Sequence, residues 1–382
     1  MSLTLLPLPD PDEKAIRDRA IDYAHQSLFP FVVDDDRNAV FRRDAFNQAA
    51  SLGLSSLVIP KEYGGQGASY HCHLAALEEI SKVNLAMTVV IGVTNLVQGA
   101  ILDFGTPTQK KDYLPKMARG EWLGAFSLSE PQSGSDAAAL SCAAKKVDGG
   151  YLLNGSKVWC SSAGYADLYL VMTRTAADKT KGITAFLVPK DLAGFRIGKQ
   201  EKKLGLRASS LAELIFENCH IPEAFRLGDE GEGFKVALSQ LDNGRITIGV
   251  GAVGLGLAAL TTSWRYRQEK TATGWEFSDG EQQILSQYFA ELQAARLLYF
   301  QAAEMKNRGE TITTIASQIK LLGSDIAMRL TSDAITLMGT DGYKSDFHVE
   351  RMFRDAKALQ IVEGTNQIQR LVLSRILAQC LQ

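Results

Sequence analysis

The sequence predicts an α+β chain of several domains: an N-terminal all-α domain, a middle antiparallel β-barrel or sandwich, and a C-terminal four-helix bundle. Three observations carry that expectation. Apolar residues recur at helical spacing up to residue 121, fall into short alternating runs between 122 and 230, and from 231 to 382 return to helical spacing in long segments. The expected boundaries are therefore 1–121, 122–230 and 231–382. A chain of 382 residues with 46% hydrophobic content can bury cores of that number.

In the first domain, residues 12–26 put Ala15, Ile16, Ala20 and Tyr23 on one helical face, and helices are expected again over 43–52, 72–83 and 85–104. Breaks fall at Pro30, at 60–67 and at Gly105-Thr106-Pro107, where Thr106 is placed to cap a helix opening at Pro107. The glycines of Pro60-Lys61-Glu62-Tyr63-Gly64-Gly65-Gln66-Gly67 invite a phosphate-loop reading. No strand precedes them and no Lys-Ser/Thr follows, so they read as a loop between helices.

In the middle, 140–147, 151–153, 168–174, 184–188, 195–199 and 211–217 are short runs separated by Gly, Asn and Asp turns, as strands of a small sheet are. Long helical periods follow over 234–262, continuing into 264–270, and over 282–308, 312–339 and 367–379. Helices of that length bury faces against one another and against partners.

Composition excludes several classes of function. A net charge of −2 with both signs scattered gives no basic stripe for nucleic acid and no polybasic membrane patch. No apolar run reads as long enough to span a bilayer. The start Met1-Ser2-Leu3-Thr4-Leu5-Leu6-Pro7 lacks a basic leader, so a cytoplasmic protein is expected. Cys72, Cys142, Cys160, Cys219 and Cys380 are widely spaced with no Cys-x-x-Cys pair; they read as buried free thiols, with no disulfide framework and no metal site.

Four stretches carry chemistry. In Phe126-Ser127-Leu128-Ser129-Glu130-Pro131-Gln132-Ser133-Gly134-Ser135-Asp136, Pro131 removes a donor and Gly134 permits a positive φ. The backbone N–H groups of Ser129, Gly134 and Ser135 are then expected to point outward, toward an anion or an electron-rich ring edge. Val158-Trp159-Cys160-Ser161 reads as a short buried strand with a flat aromatic beside small hydroxyls, which suits a flat heterocycle. Taken separately, these are also an ordinary turn and a core tryptophan. Asp242 and Arg245, three apart in Leu241-Asp242-Asn243-Gly244-Arg245, share a helix face, which by itself describes a surface ion pair as well as a site. Glu363 follows Ile361-Val362 and precedes Gly364 on a loop before the last helix, where apolar surroundings raise a carboxyl pKa, or where it simply caps that helix.

Together these motifs resemble the acyl-CoA dehydrogenase family, with Ser129-Glu130-Pro131, Gly134-Ser135-Asp136, Trp159 with Ser161, the loop Lys203-Leu204-Gly205-Leu206-Arg207-Ala208-Ser209, and Glu363-Gly364-Thr365 with Ile368-Gln369-Arg370 in register. Leu128-Ser129-Glu130-Pro131 and Leu241-Asp242-Asn243-Gly244-Arg245-Ile246 are most similar to the short-chain (butyryl) branch. The resemblance implies FAD-dependent α,β-dehydrogenation of an acyl-CoA to the trans-2-enoyl-CoA, with Glu363 as base and flavin N5 as hydride acceptor. The Glu363 backbone N–H and a ribityl hydroxyl would bind the thioester carbonyl. It implies Phe126, Leu128, Ser129, Gly134, Ser135, Trp159 and Ser161 around the isoalloxazine, and Thr365 and Gln367 near the rest of FAD. Ser135, Phe234, Asp242, Arg245 and Gly364 would face the substrate. An electron-transfer flavoprotein as electron acceptor and a homo-oligomer, dimer or tetramer, are also implied. An acyl-carrier-protein dehydrogenase or a flavin oxidase would share these residues; a non-catalytic flavin-binding module would not need Glu363.

Three departures stand out. Family members grip the partner's FAD with an Arg in an Arg-x-x-Phe-Gly turn and with a Gln-x-x-Gly-Gly-x-Gly loop; here Lys270 stands for the Arg, and Thr336 and Thr340 stand in the second motif. FAD is expected to be held less firmly across the interface. The segment 275–283 is also more polar than the family pattern. In Ile248-Gly249-Val250-Gly251-Ala252, the two glycines imply either close packing or open space, and open space would admit medium or branched chains.

Overall fold

The computed structural model describes residues 11–272 and 278–381. The first part is helical: α1 (Pro11–Tyr23), α2 (Val32–Asn38), α3 (Arg43–Ser51), α4 (Tyr70–Val83), α5 (Leu85–Phe104) and α6 (Pro107–Ala118). Local chemistry sets several of these ends. Asn84 terminates α4 and its side chain accepts from the Met87 N–H to open α5. Thr106 and Gln109 form a reciprocal capping box at α6 (3.0 and 3.2 Å). Residues 60–67 form a loop with a single 3₁₀ turn, Lys61–Tyr63.

The middle part is one eight-stranded sheet: β1 (Gly124–Ser127), β2 (Ala143–Val147), β3 (Gly150–Ser161), β4 (Leu168–Arg174), β5 (Ile183–Pro189), β6 (Phe195–Gln200), β7 (Leu211–Pro222) and β8 (Arg226–Leu227). Its order is β6-β7-β3-β2-β4-β5-β8, with β1 pairing parallel to β4 in the register Phe126↔Leu170. Most other pairs are antiparallel, as in Leu170↔Leu187 and Tyr151↔Ile221. Strands β4 and β5 are buried on both faces. Tyr169, Val171, Phe186 and Val188 pack with Tyr151 and Phe216 on one side. Leu168, Leu170, Met172, Ile183 and Leu187 pack on the other against Val97, Ile101 and Met117 of α5 and α6.

The last part contains α7 (Gly233–Thr271), α8 (Asp279–Asn307), α9 (Thr313–Met338), α10 (Val349–Leu359) and α11 (Asn366–Cys380). The 39-residue α7 is the axis of the molecule, packing on α4, α5, α8 and α9. Its glycines make that possible. A Cβ at Gly249 would meet Ile319 of α9, one at Gly251 would meet Leu85 at 2.9 Å, one at Gly254 would meet Ser81 of α4, and one at Gly256 would meet Leu292 of α8 at 2.8 Å. The glycines at 249 and 251 therefore serve close packing, and the open-space alternative with its argument for longer chains falls.

A buried cluster ties the first and last parts together. Glu78 of α4 accepts from Arg296 of α8 (2.8 Å) and from the Tyr299 hydroxyl, with Arg17 of α1 at 3.5 Å. Burial works against the Glu78 anion, but Lys82, Arg296 and Arg17 hold its pKa down at about 2.

Several expectations change. Strand β1 and helices α2 and α10 escape the sequence reading. The two expected strands 151–153 and 158–161 are one strand, β3, whose pairing with β7 shifts register between Leu153 and Gly155 and between Lys157 and Cys160. Contrary to the expectation that no apolar run is long enough, α5 and α7 are long and apolar enough to cross a bilayer by length and composition, with hydropathies of 1.9 and 1.6. Those windows are 78% and 83% buried within the protein, because both helices form its core. Four of the cysteines are buried, but Cys380 is exposed at the end of α11.

Candidate active site

The turn after β1 is fixed from beneath by a buried ion pair. Glu130 accepts from the Lys157 ammonium (2.7 Å), from the Ser141 and Cys142 N–H groups (2.7 and 2.9 Å) and from the Gln132 side chain (2.7 Å). Lys157, fully buried, also donates to the Leu128 carbonyl at 3.1 Å. The Val158 N–H donates to the Ser129 carbonyl at 2.9 Å, so the turn and the end of β3 lie side by side. Two expectations about this turn are corrected. Gly134 does not adopt a positive φ; the Glu130–Ser133 bridge makes the reversal, and a Cβ at Gly134 would meet nothing within 4 Å. Trp159 is not buried: its φ of 58° at the β3 bulge turns the indole outward, leaving it 60% exposed. A left-handed φ at a tryptophan costs about 1–2 kcal/mol, so its neighbours over-determine it.

Phe126, Leu128 and Phe234 pack in or against one apolar cluster with Val97 and Leu241, which joins the turn to α5 and to the start of α7. Ser129 and Ser161 are half-buried, and Gly134 and Ser135 are exposed beside them.

Glu363 follows α10 on a loop with φ 55° and is followed by Gly364 at φ 84°. It does not cap α11; Thr365 does, accepting from the Ile368 N–H at 3.3 Å. The Gln369 amide, reaching back to the Glu363 and Gly364 carbonyls (3.3 and 2.9 Å), fixes the loop. The carboxylate lies against α7, where a Cβ at Gly244 would come within 2.5 Å of Oε2. That oxygen is buried and has no hydrogen-bond partner among the described residues. Burial pushes the carboxyl up to about 7, against the opposing pull of Arg245 and Lys320.

Asp242 and Arg245 are not a surface pair. Arg245 is 7% exposed and donates to Asp242 at 2.6 Å, and Asp242 accepts from the Thr313 hydroxyl of α9, also at 2.6 Å. Gln367 is exposed on α11. Lys270 near the end of α7 stands apart from these groups, with its ammonium 3.7 Å from Asp341 and 5.2 Å from the Tyr266 ring centroid. Thr273 and Gly274 of its motif, and Trp275 at the start of the polar segment, lie outside the described residues.

Sequence reasoning missed three participants. The Glu130–Lys157 clamp was signalled by a lysine inside a β-run, and Gly244 by a glycine in a helix one residue before Arg245. Lys320 is fully buried on α9 and donates to Asn366 at 2.7 Å. Its signal was a charge on the apolar stripe of Ala316, Gly323 and Ala327.

Residues 10–121, 125–219 and 231–378 match, in that order, the N-terminal, middle and C-terminal domains of acyl-CoA dehydrogenase. An acyl-CoA dehydrogenase of Bacillus subtilis is 40% identical over 370 residues, covering 96% of this chain and 98% of its own. A solved chain from the electron transferring flavoprotein of Acidaminococcus fermentans is 36% identical with a TM-score of 0.94, covering 98% of this chain and 99% of that one. Butyryl-CoA dehydrogenase from Megasphaera elsdenii is 33% identical with a TM-score of 0.93, covering 98% of this chain and all (100%) of that one.

Proposed function

The chain belongs to the acyl-CoA dehydrogenase family, and from that premise we propose that it oxidises a short-chain acyl-CoA to the trans-2-enoyl-CoA with FAD, using Glu363 as the base. The observation that carries the reading is the Glu363 carboxyl, which burial raises to about 7 and whose Oε2 has no hydrogen-bond partner among the described residues. A base poised near neutrality with a free lone pair suits abstraction of a weakly acidic α-proton.

The chain's own residues fit FAD: an uncovered indole at Trp159, a turn clamped beside it and open space at Gly134 offer a flat, wide platform. Phe126, Leu128, Ser129, Gly134, Ser135, Trp159 and Ser161 would hold the ring, with Thr365 and Gln367 toward the rest. FAD, when bound, supplies the acceptor for the β-hydride. Glu363 takes the α-proton on Oε2, its backbone N–H donates to the thioester carbonyl, and the acidity of the α-carbon rises accordingly. Arg245, held by Asp242, which in turn accepts from Thr313, pulls the Glu363 carboxyl toward its ionised form against the effect of burial. Phe234, Ser135 and Gly364 border the substrate. The likeness to the Megasphaera elsdenii butyryl-CoA enzyme supports a short acyl chain. The likeness to the Acidaminococcus fermentans chain supports an electron-transfer flavoprotein as the acceptor.

Anaerobic addition of butyryl-CoA should bleach the flavin of the wild-type protein. Glu363→Gln should retain fold and flavin and slow that bleaching by several orders of magnitude, since a neutral amide cannot take the proton. Rapid bleaching of the amide variant would overturn the assignment.

A further inference from the structure

Lys320 lies on the buried face of α9, fully enclosed, and its ammonium donates to Asn366 Oδ1 at 2.7 Å. Asn366 opens α11, just beyond the Glu363 loop, and is itself bound to Ser324 (2.9 Å) and Asp325 (2.7 Å). A lysine is rarely enclosed without a carboxylate to pair with. Asp325 does not fill that role directly, because its oxygens accept from Asn366, Gln360 (2.7 Å) and Arg370 (2.8 Å). Burial lowers the Lys320 pKa, and of the anions that oppose this Glu363 acts most, ahead of Asp325.

Of the charged groups around Glu363, Arg245 exerts the larger pull on it and Lys320 the second. From α7 come Arg245 and Asp242, already paired at 2.6 Å. From α9 come Lys320 and Asp325, and from α11 Arg370, which is committed to Asp325. On α10, Asp355 faces Arg351 (3.4 Å) and the Leu206 N–H, and Lys357 bonds Gln360 (3.0 Å). Lys320 is therefore the positive charge near Glu363 that has only an amide oxygen as its hydrogen-bond partner. In a low-dielectric setting such a charge acts on a neighbouring carboxylate far more strongly than it would in water.

We propose that Lys320 is a positioning residue for this reaction: its buried ammonium keeps Glu363 ionised until the α-proton arrives and, through Asn366, fixes the loop that aims the carboxylate. The proposal rests on Glu363 being the base. Burial brings Lys320 down to about 8 while Glu363 is raised to about 7, so both are charged in a narrow interval around neutrality, where the base is most useful. Once Glu363 is protonated, the attraction is lost, which favours return of the proton to solvent after product leaves.

The test is the pH dependence of flavin bleaching by butyryl-CoA in wild type, Lys320→Gln, Lys320→Met and Lys320→Arg. Glutamine keeps a donor to Asn366 without the charge; arginine keeps the charge. In Lys320→Gln and Lys320→Met the acidic limb should move to higher pH by roughly one unit, because Glu363 loses a stabilising cation, and Lys320→Arg should restore it at least in part. An acidic limb at the same pH in wild type and Lys320→Gln overturns the proposal and leaves Glu363 as base. Failure of both Lys320→Gln and Lys320→Arg to fold overturns it as well, since the residue is then structural alone. A wild-type protein that does not bleach, or a Glu363→Gln variant that does, removes the base itself.

Discussion

At the scale of single residues, Glu363 is held where its ionised form is unwelcome, and that has a measurable consequence beyond the reaction. Its carboxyl titrates near 7 in the fold against an ordinary 4.5 in the unfolded chain. The folded state therefore binds the extra proton between those values, so the contribution is full below about 4.5 and is lost as pH rises through about 7. A shift of that size corresponds to about 3 kcal/mol. Glu363→Gln does not titrate. Its flavin-loaded form, without substrate, should be more stable than wild type at pH 8 and should converge with it near pH 4.5; thermal unfolding at several pH values measures the difference, and parallel curves would contradict the burial argument. The sequence made Glu363 legible because apolar residues precede it and a glycine follows it. Its electrostatic company was not legible, because Arg245 and Lys320 lie over a hundred and about forty residues away and reach it only through the packing of α7 and α9.

At the scale of elements, one chemical change should have opposite effects at two helical positions. A Cβ at Gly249 would run into Ile319 and approach the α9 backbone carbon at 3.0 Å, whereas one at Gly280 in the first turn of α8 would meet nothing within 4 Å. Gly249→Ala should destabilise by about 1–2 kcal/mol, overpacking outweighing the gain in helix propensity. Gly280→Ala should stabilise by about 0.5–1 kcal/mol, through propensity and a less flexible unfolded chain. Urea unfolding of both variants decides it, and equal signs would show that α7 can move away from α9. Elements with a clean period, such as α5, α9 and the alternating run of β7, were legible in the sequence. Strand β1 was not, because Gly124-Ala125-Phe126-Ser127 is short and its pairing is with β4, far along the chain. Helix α10 did carry a signal, Val349, Met352, Ala356 and Leu359 at helical spacing, which the sequence reading passed over. What the sequence could not show is that its charges are paired in the fold, Arg354 with Asp36 and Glu350, and Asp355 with Arg351 and the Leu206 N–H.

At the scale of the whole molecule, α11 presents Leu371 and Leu377 on its exposed side, Leu381 follows just beyond its end, and α8 presents Leu297. Apolar residues set along helices in this way fit the homo-oligomer implied by the family resemblance. On that resemblance we propose that assembly brings the end of α7 toward the partner's cofactor. Lys270 enters that contact already near Asp341, which also accepts from Tyr266 (2.9 Å) and Lys344 (2.7 Å). Its ammonium is a point charge where an arginine would offer a planar two-point grip on phosphate oxygens. Lys270→Arg should tighten FAD by roughly fivefold, about 1 kcal/mol, and the native affinity should weaken with salt. Titration of FAD into apoprotein of both forms at two salt concentrations, with sedimentation of the same samples, tests this; equal affinities and indifference to salt would mean that residue 270 does not touch the cofactor.

That titration carries its own optical signal, because the bulge that turns Trp159 outward leaves an indole lying bare at the place where the ring is expected to settle. Trp122 is covered by Tyr113 and Lys116, and Trp264 is 39% exposed on α7, away from the turn. An isoalloxazine stacked on Trp159 would quench that residue's fluorescence first and most. Loading should therefore be read as a fall in emission from Trp159, and emission unchanged on adding FAD would mean that the ring does not settle on that indole.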